Sequence, residues 1–260
     1  MASTAGARWT AALRALAIPE DILRAAPESP HGFPPRLFRT AAEDAMRSPS
    51  GPSFERALEA LGDGGTVLDV GVGGGAAGLP LAPPATLVTG VDSSEPMLAQ
   101  FARAADARGI EHREVLGEWP DVARTVDRAD VVVCHHVFYN APDLVRFARA
   151  LTDKARRRVV VELTARHPMV ELNDLWLHFH GLKRPEGPVA EDAIAVLGEL
   201  GLVVSQKRCA GPRLFRAALA DRVAFTRKRL CLGPDRDAEL ATLLRHRPAE
   251  RELLTLWWTP

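Results

Sequence analysis

The residues best suited to chemistry fall in two stretches of the chain. The first is Val67-Leu68-Asp69-Val70-Gly71-Val72-Gly73-Gly74-Gly75, an apolar run that ends in an acid and enters a G-x-G-x-G turn. Glycine tolerates φ > 0 and lets backbone N–H groups approach a ligand with no Cβ between them. A helix after such a loop offers more free N–H groups at its start. The next apolar run ends in Asp92, about twenty residues on, where an acid can accept hydrogen bonds from both hydroxyls of a ribose. The pattern points to a nucleoside-bearing ligand. A dinucleotide fingerprint needs G-x-G-x-x-G directly after the strand. Gly71, Gly73 and Gly78 miss that spacing, whereas Gly73, Gly75 and Gly78 meet it but start four residues beyond Asp69. NAD(P) and a glycine turn of purely structural purpose stay open as readings.

The second stretch is discontinuous: His135, His136, Tyr139 and Asn140, then Glu162, Arg166 and His167. All follow the fourth or fifth apolar run, and open α/β sheets bind ligands outside the carboxyl ends of their strands. Of two adjacent histidines at a strand end, one faces the ligand and the other faces away. Tyr139 is the only tyrosine and suits a buried hydrogen-bonded place as well as a catalytic one. Glu162, inside an apolar run, must pair with an arginine or face the site, because an unpaired buried carboxylate is costly. His136, Tyr139 and His167 are the catalytic candidates. His167, His178 and His180 do not suggest a metal: His178 and His180 are two apart and share no helix face, and H-E-x-x-H is absent. Trp176, Phe179, His31 and Phe33 either line an acceptor pocket or pack the core.

These residues need a frame. Short β-rich runs at 66–70, 86–91, 111–116, 130–134 and 159–163 alternate with helices, which implies a parallel sheet with right-handed crossovers. The helix after the second run is capped by Ser93 or Ser94, buries Met97 and Phe101 on one face and stops at Gly109. Helices are expected over 170–180, 189–200, 213–230 and 235–245, with a sixth strand starting over 202–205 and a last one over 253–258. Residues 1–62 read as helices broken by prolines, forming a cap or lid. Residues 63–260 then form the ligand-binding domain, with an insertion around 168–188 and helices over 213–246 before the last strand.

The D-x-G-x-G-x-G form from Asp69 to Gly75 resembles motif I of class I S-adenosylmethionine (SAM)-dependent methyltransferases. The likeness extends, with its spacing, over residues 66–163. It implies a seven-stranded, mostly parallel, twisted α/β sheet of Rossmann-like type, with an N-terminal helical cap and helical insertions. It implies SAM as cofactor, with Asp69 near its amino group, the glycine loop Gly71, Gly73 and Gly75 beneath it, and Asp92 on the ribose with Ser93 and Met97 beside it. Glu118 and Trp119, in Gly117-Glu118-Trp119, would meet the adenine, and His135 the methionine part. The block Trp176…His180-Gly181…Arg184-Pro185 is also similar to methyltransferases of this type but identifies no substrate.

The activity so implied is methyl transfer to an oxygen or nitrogen of a small molecule. The N-D/S-P-P-F/Y/W signature of enzymes that methylate amino groups of nucleic acids is replaced by His135-His136-Val137-Phe138-Tyr139-Asn140. Lys+Arg and Asp+Glu number 33 each among 260 residues, which argues against a global grip on nucleic acid. One local exception is Lys207, Arg208, Arg213, Arg216, Arg222, Arg227, Lys228 and Arg229, against Asp221 alone. That run is either a solvated helix face or an RNA contact, so a ribosomal or transfer RNA methyltransferase is the alternative, with a non-catalytic SAM-binding protein as another. Three distant cysteines with no C-x-x-C suggest neither a disulfide framework nor a zinc site. No apolar run approaches the roughly 18 residues of a membrane span, and no signal peptide is read, so a cytoplasmic protein is expected. Its oligomeric state is left open.

Overall fold

The computed structural model describes residues 3–32, 35–212, 218–248 and 250–260, so Phe33, Arg213 and Arg216 lie outside the described residues. Seven strands form one sheet in the order β3-β2-β1-β4-β5-β7-β6. They are β1 (Gly65–Val70), β2 (Ala85–Asp92), β3 (His112–Leu116), β4 (Ala129–His135), β5 (Ala155–Thr164), β6 (Ser205–Pro212) and β7 (Glu250–Trp258). β1 to β5 pair in parallel, and β7 runs antiparallel between β5 and β6. A parallel centre must be covered on both faces. Val67, Leu68, Val131, Val133, Val159 and Val161 are accordingly at most 1% exposed. Strand order reverses between β1 and β4, which opens a crevice at their carboxyl ends.

The helices are α1 (Ala5–Ala15), α2 (Glu20–Ala25), α3 (Pro35–Arg47), α4 (Pro52–Leu61) and α5 (Glu95–Asp106). Then follow α6 (Leu144–Lys154), α7 (Asn173–His180), α8 (Ala190–Glu199), α9 (Leu219–Arg229) and α10 (Asp237–Arg245). α6 begins where the Asp143 carboxylate accepts the Arg146 N–H at 3.0 Å, and it buries Leu144, Phe147, Ala148 and Leu151, one helical face. It packs with α1 and α8 on one side of the sheet, while α4 and α5 cover the other. A third core stands apart from the sheet, where Leu175, Trp176, Val223, Leu230, Leu240 and Leu244 join α7, α9 and α10.

The structure corrects several expectations. Residues 1–62, expected as a helical cap, contribute to three cores: Trp9 of α1 joins one sheet face, Leu61 of α4 the other, and Ile18 and Ile22 the third core. No α-helix follows the glycine loop; the chain makes turns and then a 3₁₀ helix, Leu79–Leu81. Four glycines between 71 and 75, then Gly78, Pro80, Pro83 and Pro84, deny it helical propensity and N–H donors. The sixth strand runs Ser205–Pro212 rather than over 202–205. It is an edge strand paired only with β7, and its polar sequence carries no apolar run to reveal it. Of the basic helix expected over 213–230, Leu219–Arg229 is helical, and 213–217 lie outside the described residues. Within 170–180, a 3₁₀ turn, Pro168–Leu172, precedes α7.

Candidate active site

A cavity of about 1230 Å³ opens at the carboxyl ends of the parallel strands. Gly71, Gly73, Asp92, Ser93, Met97, Glu118, Trp119 and His135 line one half of it. β1 leaves the sheet at Gly71, whose φ of 76° and N–H bond to the Val91 carbonyl at 2.8 Å turn the chain across the end of β2. A Cβ there would stand 2.3 Å from Val137 Cγ2, so only glycine fits. Asp92, at the end of β2, holds the site together: its Oδ2 accepts the Gly73 N–H at 2.9 Å and its Oδ1 the Ser94 N–H at 2.9 Å. Trp119 is anchored by its indole N–H to the Phe147 carbonyl at 3.3 Å, while Glu118 is exposed at the rim.

Two residues expected in this half lie behind it. Asp69 is 1% exposed and does not line the cavity; its Oδ2 accepts the Gly78 N–H at 2.8 Å. Burial pushes its carboxyl up to about 7, against the lowering by that hydrogen bond and with the Asp92 charge adding to the rise. It shapes the loop from within, behind the cavity lining. Gly75, with φ of 89°, is likewise off the cavity, and a Cβ on it would stand 2.5 Å from Leu79 Cδ1.

At the junction stand the two histidines. His135 Nε2 is buried and has no hydrogen-bond partner, and burial holds the imidazole below its ordinary value, opposed by Glu162 and aided by His136. His136 leaves β4 with φ of 60°, a backbone conformation rare outside glycine and concentrated at functional sites. Its Nε2 lies 3.3 Å from Glu162 Oε1, and Glu162 Oε2 accepts the Ser53 hydroxyl at 2.7 Å. Burial alone would raise Glu162. The His136 hydrogen bond, the charges of His135 and His136 and the Ser53 hydroxyl outweigh it and hold the carboxyl at about 2. Glu162 thus pairs with a histidine, not an arginine. It keeps the proton of His136 on Nε2 and leaves Nδ1 as the basic nitrogen.

The other candidates divide. His167 Nδ1 accepts the Met169 N–H at 3.0 Å, and burial with the Arg229 charge lowers the imidazole to about 4. It is a neutral ring with its proton on Nε2, a donor and not a base. Tyr139 is 6% exposed, its hydroxyl donates to the Thr164 carbonyl at 2.8 Å, and burial raises it far above its ordinary value. Tyr139 also lines the cavity, with its ring stacked on Trp9 at 5.5 Å and its hydroxyl proton committed to the Thr164 carbonyl. Asn140 lines the cavity, whereas Arg166 pairs with Glu186 at the surface.

Trp176 and Phe179 pack in the third core, and His31 is exposed and outside the cavity lining that its neighbour Gly32 joins. His178 bonds Glu239 at 2.7 Å and His180 the Leu230 carbonyl at 2.7 Å. No group of three metal-ligating side chains occurs among the described residues.

The far half of the cavity was not foreseen. Ser53 reaches it from α4, Arg222, Phe225 and Arg229 from α9, Arg247 from beyond α10, and Arg251 from β7. Arg222 and Arg229 belong to the basic run of the sequence, whereas Ser53, Phe225, Arg247 and Arg251 carry no local signal of their place. The basic run breaks up accordingly: Arg208 pairs with Glu191 and Glu252, Arg227 with Asp237 and Glu28, and Lys207 lies 3.9 Å from Glu55. No helix of the described residues is long and apolar enough to cross a membrane.

Residues 67–157 match the family model described as a methyltransferase domain. Among solved structures, the chain is similar to a SAM-dependent methyltransferase from Thiobacillus denitrificans in complex with S-adenosyl-L-homocysteine (SAH). That likeness has 17% identity and a TM-score of 0.53 over 88% of this chain and 99% of the other. It is also similar to magnesium protoporphyrin IX methyltransferase from Synechocystis PCC 6803 with bound SAH, at 15% identity and a TM-score of 0.52, covering 86% and 84% of the two chains. No curated protein matches it in sequence.

Proposed function

Residues 67–157 are a class I SAM-dependent methyltransferase domain, and on that premise we propose that the protein methylates an oxygen or nitrogen of a small molecule bound beside His136. One observation carries the reading: a single cavity joins the glycine loop and Asp92 to the His136–Glu162 pair. Its first half fits SAM. Gly71 and Gly73, both at positive φ, bring backbone close to the ligand, Asp92 suits the ribose, and Ser93, Met97, Glu118 and Trp119 suit the adenosine. The unpartnered Nε2 of buried His135 asks for a polar group at the methionine end. Asp69 and Gly75 act one layer back, by shaping the loop.

SAM supplies an electrophilic methyl group on a sulfonium. The chain's own part is to align the acceptor, exclude water and take the proton the acceptor loses. His136 is the base: its Nδ1 receives the proton, and the Glu162 carboxylate stabilises the imidazolium formed. Ser53 holds Glu162 in place from α4. His167, neutral with Nε2–H, donates a hydrogen bond to the acceptor. A base built this way favours an enzyme over a protein that merely binds SAM.

An RNA acceptor draws less support, because Arg208 and Arg227 of the basic run are paired within the molecule and Arg222 and Arg229 line the cavity. The deciding experiment is calorimetric titration of ligand-free protein with SAM and SAH. Micromolar binding of both is expected. A folded protein that binds neither would overturn the reading and bring NAD(P) forward.

A further inference from the structure

On α1, Gly6, Trp9 and Thr10 are three and four residues apart and share one side of the helix. Gly6 lets α1 lie close against α6, since a Cβ there would stand 2.8 Å from Val145 Cγ2. The Ala5 N–H donates to the Glu199 carboxylate at 2.7 Å, which ties the same helix to α8. So fixed, α1 reaches the turn that leaves His136. The indole N–H of Trp9, a residue 0% exposed, donates to the Ala141 carbonyl at 2.8 Å. The Thr10 hydroxyl donates to the Pro142 carbonyl at 2.7 Å.

Trp9 is not part of the cavity lining, but what it touches is. Its ring stacks on Tyr139, with planes 15° from parallel. Tyr139 in turn meets His167, another lining residue, edge to face at 5.0 Å. A second route joins the same two residues. The Tyr139 hydroxyl donates to the Thr164 carbonyl at 2.8 Å, and the Thr164 hydroxyl donates to the Arg166 carbonyl at 2.6 Å, one residue before His167. Stacked and edge-on aromatic pairs prefer defined separations, so a ring held on one side sets the place of the ring on the other. The glycine loop and Asp92 are built from β1 and β2, and their hydrogen bonds do not pass through α1.

We propose that Trp9 is a positioning residue for methyl transfer: from behind the lining it fixes Tyr139, and through Tyr139 it holds the His167 ring that presents Nε2–H to the acceptor. The inference rests on the methyltransferase reading and adds α1 to the parts that place the acceptor.

The test reads His167 itself, by NMR of the histidine-labelled full-length protein, with His167→Gln to assign its signals. Burial, with the Arg229 charge, holds the wild-type imidazole at about 4, so it should stay neutral down to about pH 5. Trp9→Met removes the stacked ring. The His167 titration should then rise by about one pH unit or more towards its ordinary value, as water reaches the imidazole. Trp9→Phe keeps a ring against Tyr139 and should restore the wild-type titration. Arg229 comes from α9 and the Tyr139 hydroxyl keeps its proton, so neither charge changes with Trp9. Calorimetry should give the same SAH affinity for the wild type and both Trp9 variants. A second measurement needs no variant: Tyr139 is the only tyrosine, so its ring protons can be followed to nuclear Overhauser contacts with Trp9 and His167. A His167 titration unmoved in folded Trp9→Met, an SAH affinity that falls with it, or the absence of either Overhauser contact would overturn the positioning role alone. A folded wild type that binds no SAH would overturn the methyltransferase reading, and the role of Trp9 with it.

Discussion

The two halves of the cavity are made in different ways. The SAM half is made of short continuous stretches of chain: the turn after β1, the end of β2 and the turn after β3. The acceptor half is made of single side chains from α4, β5, α9, β7 and the segment after α10. Backbone recognition needs only turns of fixed shape, so one glycine pattern can serve any acceptor. Side-chain recognition can be re-chosen residue by residue, which is how one fold hosts many activities.

Variants that separate the halves test this contrast. His136→Ala should carry the largest effect, slowing methyl transfer about 10²–10⁴-fold while SAM affinity measured by calorimetry stays unchanged. If SAM affinity fell in parallel, the halves would not be separable. Asp92→Ala should do the opposite, weakening SAM by roughly ten- to a hundredfold through loss of about 1.5–3 kcal/mol of charged hydrogen bonding. Unchanged affinity in a folded variant would remove the ribose assignment. Gly71→Ala places a Cβ 2.3 Å from Val137 Cγ2 at φ of 76°. It should cost about 1–3 kcal/mol, lowering Tm by roughly 3–10 °C, and should weaken SAM as well.

The smallest effects concern one buried acid on each side, and they have opposite signs with pH. Asp69 is raised by burial from 3.8 to about 7, so its neutral form stabilises below its ordinary value and that stability is lost as pH rises through 7. Asp69→Asn should therefore gain on the wild type between pH 5 and pH 8, by about 1–3 kcal/mol in denaturant unfolding. Glu162 is depressed from 4.5 to about 2, so its contribution is present above its ordinary value and lost as pH falls towards 2. Glu162→Gln should be less stable than the wild type at pH 7 and converge with it in acid. Parallel pH profiles for the two variants would break the contrast.

Much of the SAM half was legible because its determinants are local. A G-x-G-x-G turn between an apolar run and Asp92 has few conformations open to it, and Gly71, Gly73, Asp92, Ser93, Met97, Glu118, Trp119 and His135 all reach the cavity. Asp69 and Gly75 belong to the same motif, yet the strand's alternation and the sharp turn send them inward. The helix expected after the loop failed against Pro80, Pro83 and Pro84, a signal present in the sequence and outweighed by the motif's usual context. The edge strand β6 was misread because it takes its pairing from β7, not from a pattern of its own.

Periodicity and glycine content act over neighbouring residues, and they were enough for the parallel strands β1 to β5 and the glycine loop. Tertiary structure alone decided that Glu162 meets His136 and Ser53, and that Arg222, Arg229, Arg247 and Arg251 line one cavity. Those groups are separated by tens of residues along the chain, and their partners are chosen by how helices dock on the sheet. That choice depends on burying many apolar faces at once, a global balance that no single stretch of sequence encodes.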